Sequence, residues 1–263
     1  MEPRPIPTHG PDTAAEVARE AVAQGADLVL VLGGDGTINE VVQGLACSGV
    51  PLGVLPGGTA NVLANELGLR SRPEAAAKQL ISWAPRKIAL GRVTAPALGS
   101  RYFLMMCGAG LDANIVYDVH LGLKAAAGKL AYWAAGLGHF GRTLTQLDVR
   151  VDGQTHRCGF ALISRVRNYG GDLEIASGAS LTRDDFEVVL FEGTSSVRYA
   201  WYMMGVAARR VQKMSGVRVL RATRVEILTE TAAQIDGEFL GRQALTIDIV
   251  PGAINLLLPP SHD

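Results

Sequence analysis

The chain has 263 residues, and 48% of them are hydrophobic, which is enough apolar sequence to bury a core and excludes a disordered protein. Its 25 basic residues balance its 25 acidic residues, so the formal net charge is zero and we expect no nucleic acid as a partner. No stretch reaches the roughly 18 uninterrupted apolar residues of a membrane span, and Cys47, Cys107 and Cys158 lie far apart, so we expect a cytoplasmic protein of two domains.

The first predicted elements are a helix and a strand. Residues 1–10 are rich in proline, so we expect an extended start. Thr13 and Glu16 have the spacing of a capping box, which predicts a helix that ends at Gly25. Residues 28–32 form an unbroken apolar run, which is typical of a strand that is covered on both faces.

A glycine-rich turn follows this strand. Gly33, Gly34 and Gly36 allow a sharp turn and the close approach of a ligand to the backbone. The apolar residues of 38–45 have helical spacing, so the turn precedes a helix, where N–H groups and the helix dipole favour a phosphate group. Asp35, in the middle of this turn, is suited to hold a metal ion or to accept a proton. A tight turn in which Asp35 only caps the helix is the alternative.

A second unit of the same kind comes next. Residues 52–55 predict a strand, and residues 62–67 and 73–83 predict helices. The turn after the strand contains two glycines and two polar side chains, Gly57, Gly58, Thr59 and Asn61. Because the carboxyl ends of parallel strands form the ligand crevice of such sheets, we expect both turns to lie side by side. The two polar side chains either contact the ligand there or cap the helix.

From about residue 86 the sequence alternates between apolar and polar residues, as strands do. The predicted strands cover residues 87–93, 102–106, 147–151, 160–164, 186–191, 224–228 and 244–249. They predict a mainly antiparallel sandwich or barrel with helical insertions at residues 113–147 and 197–214. In the second insertion one stripe is interpreted as core rather than as a lipid-facing groove, and it contains Trp201, Met204, Ala208 and Val211.

Carboxylates of the second half lie in predicted turns. Asp184 and Asp185 precede the strand at residues 186–191, and Asp172 follows two glycines. Asp236 begins an Asp-Gly-Glu sequence that ends with Glu238. Since Asp-Gly is a common hairpin turn, a structural role is the first interpretation of Asp236 alone.

Together these motifs resemble the diacylglycerol kinase and sphingosine kinase superfamily, in particular its bacterial soluble lipid kinases. The resemblance depends on six segments in the family's order, residues 33–41, 51–61, 108–113, 169–171, 184–185 and 236–239. It implies a phosphofructokinase-like α/β nucleotide-binding domain over residues 1–86 together with residues 253–263. It also implies a β-rich lipid-binding domain over residues 87–252, an antiparallel sandwich or barrel with helical insertions.

The resemblance implies transfer of the γ-phosphate of ATP, with Mg²⁺, to a hydroxyl of a diacylglycerol-like or sphingoid lipid. The nucleotide would contact both turns and one late carboxylate, through Gly33, Gly34, Gly36, Thr37, Gly57, Gly58, Thr59, Asn61 and Glu238. Asp35 and Asp236 are the candidates for the general base and the magnesium link. The resemblance to bacterial members favours Asp236 as the base and Asp35 as the metal-linked carboxylate, whereas members resembling sphingosine kinase favour Asp35 as the base. Asp184 and Asp185 resemble the ligands of a structural magnesium ion.

The sequence departs from the family pattern at three places. Family members begin with a strand and an Asn-Pro-x-Ser-Gly loop, which the printed sequence does not show before residue 8. We expect either a truncated sequence or a reduced ATP site. Val62 stands where many bacterial members have an aspartate, so that acidic role is not carried over, and no glycine follows Asp185.

Two other functions stay open at this point. One is a kinase of a soluble substrate, because NAD kinases and phosphofructokinases share the Gly-Gly-Asp-Gly motif. The other is a non-catalytic protein that binds a nucleotide or a lipid. A lipid substrate would bring the protein transiently to a membrane surface, and the sequence does not decide whether the chain forms a homodimer.

Overall fold

The structure, a computed structural model, describes residues 4–110, 145–170 and 173–260. Its helices are α1 (Ala14–Ala23), α2 (Asp35–Leu45), α3 (Val62–Glu66), α4 (Pro73–Leu80) and α5 (Ser196–Ala207), with a 3-10 helix at Val211–Lys213. The first strands are β1 (Val29–Gly33), β2 (Pro51–Pro56), β3 (Ala84–Ala95), β4 (Gly99–Phe103), β5 (Met106–Gly110), β6 (Leu147–Val151) and β7 (Gln154–Cys158). The later strands are β8 (Phe160–Ser164), β9 (Asn168–Tyr169), β10 (Leu173–Glu174), β11 (Phe186–Phe191), β12 (Val217–Ala222), β13 (Arg224–Ile235) and β14 (Glu238–Leu258).

One sheet joins the two halves of the chain. Among the described residues its order is β1-β2-β14-β13-β5-β8-β11-β12, with β3 and β4 beside β14 and with β6 and β7 beside β13. β1, β2 and the end of β14 run parallel, whereas the other pairs of this sheet are antiparallel. The fold is therefore an α/β part followed by a β-rich, mainly antiparallel part, which confirms the predicted fold class.

Strand β14 connects the two parts because it changes partners along its length. Its first half pairs with β13, and residues 255–256 near its end pair with residues 51–52 of β2. A register shift relative to β3 follows Val250 and separates these two halves. The strand thus begins beside the late acidic turn and ends beside the strand that carries the second glycine turn.

Two clusters of buried apolar residues form the core. One surrounds helices α1 to α4, and it buries Ile38, Val42 and Leu45, which confirms the apolar spacing predicted for α2. The other lies inside the β-rich part, where Phe103 and Phe186 stack at a centroid distance of 5.8 Å. β8 and β11 supply side chains to both clusters on alternate faces, so every residue of these strands is buried.

The strand β1 differs from the prediction of a strand that is covered on both faces. Val31 in its centre is buried, but Leu30 and Leu32 are exposed. In the described part of the chain β1 pairs only with β2 and is therefore an edge strand. An unbroken apolar run here does not indicate two covered faces.

The capping box predicted at the start of α1 does not form. The Thr13 hydroxyl accepts a hydrogen bond from the His9 N–H and donates one to the Gly10 carbonyl. The N–H of Ala14 instead donates to the carboxylate of Glu40 on α2 at 2.9 Å. A contact between two helices thus satisfies the first N–H group of α1, while the Thr13 side chain makes no cap hydrogen bond to the helix.

The strands predicted at residues 147–151, 160–164 and 186–191 are confirmed at their bounds. The strand predicted at residues 102–106 is divided between β4 and β5, and residues 104–106 bend around the Asp236 side chain. β7 and β12 were not predicted, because most of their residues are at least partly exposed and polar or charged side chains interrupt their apolar pattern. Residues 113–144 of the first predicted insertion, Asp172, and residues 111–113 and 171 of the family motifs lie outside the described residues.

Helix α5 presents a different face to the core from the predicted one. Its buried side chains include Tyr199, Tyr202 and Val206. Of the predicted stripe, Val211 is buried, whereas the exposed members are Trp201, Met204 and Ala208. Aromatic residues on two faces of the helix gave the sequence two candidate core stripes, and periodicity does not separate them. No helix among the described residues is both long and apolar enough to cross a membrane.

Candidate active site

The two glycine turns lie against each other at the carboxyl ends of β1 and β2. The N–H of Gly57 donates to the carbonyl of Gly33 at 2.9 Å. A Cβ atom at Gly58 would lie 2.5 Å from the Cα of Gly34, and a Cβ atom at Gly33 would lie 2.9 Å from that of Thr37. Glycine is therefore required for the contact between the turns, even before a ligand is considered.

The other turn residues differ in their contacts. Asn61 has a left-handed backbone with φ 46°, and its side-chain amide accepts from the N–H and donates to the carbonyl of Gly58. Gly36 faces open space, and Thr59 is exposed. Asn61 therefore shapes the second turn, whereas Gly36 and Thr59 belong to the accessible surface of the two turns.

Asp35 joins the first turn to the helix that follows the second turn. It lies in the first turn of α2, and its carboxylate oxygens accept from the N–H groups of Val62 and Leu63 at 3.1 and 3.3 Å. Asp35 thus caps α3 rather than its own helix. A carboxylate has about four acceptor positions, so about two remain for a ligand, a metal ion or a proton.

Asp236 differs because four donors surround its carboxylate. Oδ1 accepts from the N–H groups of Met105 and Met106 at 3.0 and 2.8 Å. Oδ2 accepts from the N–H of Leu104 at 2.8 Å and from Nδ2 of Asn39 at 2.9 Å. Asp236 is 6% exposed, and burial raises its pKa to about 6, although these hydrogen bonds act to lower it. Its geometry fixes the connection between β4 and β5 and leaves no acceptor position for a substrate.

The hairpin predicted at Asp236 and Gly237 is confirmed, with φ values of 47° and 86° between β13 and β14. Glu238 follows this turn and forms a bidentate ion pair with Arg101 of β4, with N–O distances of 2.5 and 2.7 Å. Two parallel hydrogen bonds fix the plane of the Glu238 carboxylate. Arg101 was not identified from the sequence.

A polar face of α2 connects the glycine turns to Asp236. Asn39, which donates to Asp236, lies one helical turn after Asp35 and is buried. One turn further, Gln43 donates to the carbonyl of Tyr102 at 2.7 Å and accepts from its N–H at 2.9 Å. The four-residue spacing of Asp35, Asn39 and Gln43 places them in a stripe along one helix face. This polar stripe is the signal that would have identified Asn39 and Gln43.

A second connection between the two parts lies at the end of α3. Glu66 is buried and accepts from the backbone N–H and the Nε of Arg167, both at 3.1 Å. Arg167 follows β8 in the β-rich part. The two residues are 101 positions apart in the sequence, and no local pattern indicated the pair.

Asp184 and Asp185 lie in the loop before β11. Asp185 forms ion pairs with Arg183 at 2.6 Å and with Arg221 at 3.1 Å. Burial raises the pKa of Asp185, but the two arginines outweigh this and lower it overall. Arg165 is buried beside this loop and donates to the carbonyls of residues 181 and 183. Two arginines thus bind Asp185, and the described residues contain no cluster of three or more metal-ligand side chains. That Asp184 and Asp185 hold a structural magnesium ion stays a prediction.

Two family models match this chain. The diacylglycerol kinase catalytic domain matches residues 1–93, and the YegS C-terminal NAD kinase beta sandwich-like domain matches residues 106–258. A solved structure of a diacylglycerol kinase from Bacillus anthracis str. Sterne has the same fold, with a TM-score of 0.68, 17% identity, and coverage of 97% of this chain and 85% of that one. The two family models thus define the class, a protein that combines a diacylglycerol kinase catalytic domain with a YegS C-terminal NAD kinase beta sandwich-like domain.

Curated relatives are more specific. A diacylglycerol kinase of Bacillus subtilis (strain 168) is 30% identical over 238 residues, which are 87% of this chain and 76% of the relative. A diacylglycerol kinase of Mycobacterium tuberculosis (strain CDC 1551 / Oshkosh) is 28% identical over 253 residues, which are 94% of this chain and 81% of the relative. The chain belongs to the diacylglycerol kinase family.

Proposed function

We propose that this chain is an ATP-dependent lipid kinase, which transfers the γ-phosphate of ATP to a hydroxyl of a diacylglycerol-like or sphingoid lipid. The observation that carries the proposal is the contact between the two glycine turns. This contact brings the Asp35 carboxylate, which keeps about two acceptor positions, to the carboxyl ends of β1 and β2. The names of the relatives in Bacillus and Mycobacterium support a lipid acceptor.

The nucleotide phosphates are proposed to lie over the open side of the first turn. Phosphoryl transfer depends on groups that orient the phosphates and neutralise their charge. Here Gly36 faces open space, and the N-terminus of the 11-residue helix α2 offers its N–H groups and the positive end of its dipole. Thr37, Thr59 and Asn61 are the polar side chains of the two turns, and Glu238 is proposed to lie near the nucleotide.

Asp35 is proposed as the catalytic carboxylate. It also fits a magnesium ion, because carboxylate oxygens are ligands that this ion prefers, and the ion would supply neutralisation of phosphate charge when bound. One remaining acceptor position of Asp35 suffices for the ion and another for the hydroxyl proton of the lipid. Asp236 is a positioning residue in this proposal, since it holds Asn39 and the β4–β5 connection through its four hydrogen bonds.

The test is phosphate transfer from labelled ATP with Mg²⁺ to a panel of lipids in detergent micelles. The panel contains diacylglycerol, monoacylglycerol, ceramide and sphingoid bases, with NAD and a sugar phosphate as soluble acceptors. We expect a phosphorylated product from at least one lipid. Product from a soluble acceptor alone would instead identify a kinase of the NAD kinase or phosphofructokinase type. Lipid or nucleotide binding without any product would identify a non-catalytic protein.

A further inference from the structure

The outward face of helix α5 exposes large apolar side chains to solvent. Val197, Trp201 and Met204 are 62%, 59% and 57% exposed. Their spacing places them along one side of the helix, and we call these three residues the α5 stripe. The outer face of a surface helix is normally charged or polar, so a contiguous apolar stripe of this kind indicates a partner.

The opposite face of α5 fixes the helix in this orientation. The Tyr199 hydroxyl donates to the carbonyl of Phe191 at 2.8 Å, and the Tyr202 hydroxyl donates to the carbonyl of Glu192 at 3.0 Å. The Tyr202 ring also contacts the Phe191 ring edge-on at a centroid distance of 5.4 Å. Rotating the helix to bury the α5 stripe would break these contacts, so the stripe is held outward.

Positive charge is concentrated at the C-terminal end of the stripe. Between Glu192 and Glu226 the sequence has seven arginines and lysines and no acid, in a chain whose formal net charge is zero. The exposed residues Arg209, Arg210 and Lys213 directly follow α5, and the ion pairs of the described residues do not include them. The acid that lies beside them is Glu174, which lines the same shallow pocket as these three residues.

We propose that the α5 stripe and these three basic residues form a docking surface for an anionic phospholipid bilayer. Tryptophan is enriched at the boundary between headgroups and acyl chains, and an interfacial helix combines such apolar residues with basic ones. Each basic residue near an anionic membrane strengthens binding. A second copy of the chain is a less suitable occupant, because the same three positive side chains would then approach each other.

This surface deepens the proposed function, because it would bring the kinase to the layer in which its lipid substrate is dissolved. Only this role in bringing the kinase to its substrate rests on the proposed function. The binding itself requires neither ATP nor a lipid acceptor, so it is measured separately from phosphate transfer.

The first experiment is sedimentation of the full chain with vesicles of phosphatidylcholine that contain about 30% phosphatidylglycerol, compared with phosphatidylcholine alone. We expect wild-type binding to the anionic vesicles, and we expect Trp201→Glu to weaken it about tenfold or more. The matched control is Ile81→Glu, which changes an 85% exposed apolar residue in the α/β part and should leave binding unchanged. Equal binding of Trp201→Glu and wild type would overturn the proposal.

The second experiment tests the charges. Arg209→Glu with Arg210→Glu should weaken binding to the anionic vesicles by about 25-fold or more, since each basic residue contributes about fivefold. The control pair Lys78→Glu with Lys87→Glu produces the same net charge from exposed residues elsewhere and should bind like wild type. Equal losses in both pairs would show an effect of net charge alone and would contradict a specific surface.

Two further measurements separate the remaining outcomes. Light scattering of wild type and Trp201→Glu detects self-association, and a dimer that dissociates in the variant would assign the stripe to a contact between copies and overturn the proposal. Turnover of a short-chain, water-soluble diacylglycerol should be the same in both proteins if the stripe acts only in docking. If no lipid is phosphorylated but wild type binds the vesicles and Trp201→Glu does not, the docking surface stands and the proposed kinase function fails.

Discussion

Asp35 and Asp236 are the same type of residue in two regions of the molecule, and their surroundings differ. Asp35 lies at the glycine turns and accepts two rather long hydrogen bonds, at 3.1 and 3.3 Å. Asp236 lies in the β13–β14 hairpin and accepts four, between 2.8 and 3.0 Å. The first carboxylate therefore keeps acceptor capacity, whereas the second is saturated.

This difference separates a chemical role from a structural one. A general base must receive a proton within hydrogen-bond distance of the reacting hydroxyl. Asp236 would have to lose a backbone or Asn39 hydrogen bond before it could do so. Of the two alternatives that the family resemblance left open, the geometry thus favours Asp35 as the base.

The largest expected effect is that of Asp35→Asn on activity. We expect kcat/KM for the best lipid to fall about 10³-fold, because the amide cannot accept the proton. The unfolding free energy should fall by less than about 1 kcal/mol, since the amide oxygen still accepts a hydrogen bond from α3. Asp27→Asn, at an exposed aspartate, is the control. Retention of activity within tenfold would remove Asp35 from the mechanism.

The next effect is that of Asp236→Ala on stability. The change leaves three backbone N–H groups and the Asn39 amide without their acceptor, so we expect a loss of about 3–5 kcal/mol in the free energy of unfolding. Asp35→Ala, which removes two longer hydrogen bonds, should cost about 1 kcal/mol. Urea unfolding of both variants measures the comparison. Equal losses in the free energy of unfolding would contradict the structural difference between the two carboxylates.

The pH dependence of stability tests the burial of Asp236. Its folded pKa of about 6 is above the ordinary value of 3.8, so its contribution to stability is fully present below pH 3.8. This contribution is lost as the pH rises to about 6, and the loss is on the order of 3 kcal/mol. Between pH 4 and pH 7 we expect the free energy of unfolding of wild type to fall by this amount relative to that of Asp236→Asn, as measured by urea unfolding. If the free energy of unfolding changed equally with pH in both proteins, the four hydrogen bonds would cancel the cost of burying the Asp236 carboxylate.

The smallest effects distinguish two glycines of the same site. Gly58→Ala should destabilise the protein by about 2 kcal/mol, because its Cβ would clash with the Gly34 backbone. Gly36→Ala should leave stability unchanged or raise it by up to about 1 kcal/mol, since the position is open and helical. It should nevertheless weaken ATP binding about tenfold in calorimetry if phosphates contact this turn. Unchanged affinity in Gly36→Ala would place the phosphates elsewhere.

The sequence predicted those parts of the molecule that depend on local patterns. The Asp236–Gly237 hairpin and the α2 apolar stripe follow from turn chemistry and helical periodicity. β8 and β11 are found at their predicted bounds because both faces of these strands are buried, so their sequences are almost entirely apolar.

The failures concern residues whose surroundings come from distant parts of the chain. Leu30 and Leu32 are exposed because the described elements leave their face of β1 uncovered, which the apolar run of the strand does not reveal. Thr13 was predicted as a cap, but its hydroxyl donates to the Gly10 carbonyl, and Glu40 of the next helix accepts from the first N–H of α1. Glu238 was predicted as a site residue without its partner Arg101, which is 137 positions away.

Hydrogen exchange of the backbone amides, measured with and without Mg²⁺ and a non-hydrolysable ATP analogue, tests whether the two glycine turns bind one nucleotide. We expect the analogue to slow exchange at residues 33–37 and at residues 57–61 together, because both turns would face one nucleotide. The amides of residues 104–106 should not change, since they already donate to Asp236. Slowed exchange in only one turn, or in neither, would contradict a shared nucleotide site.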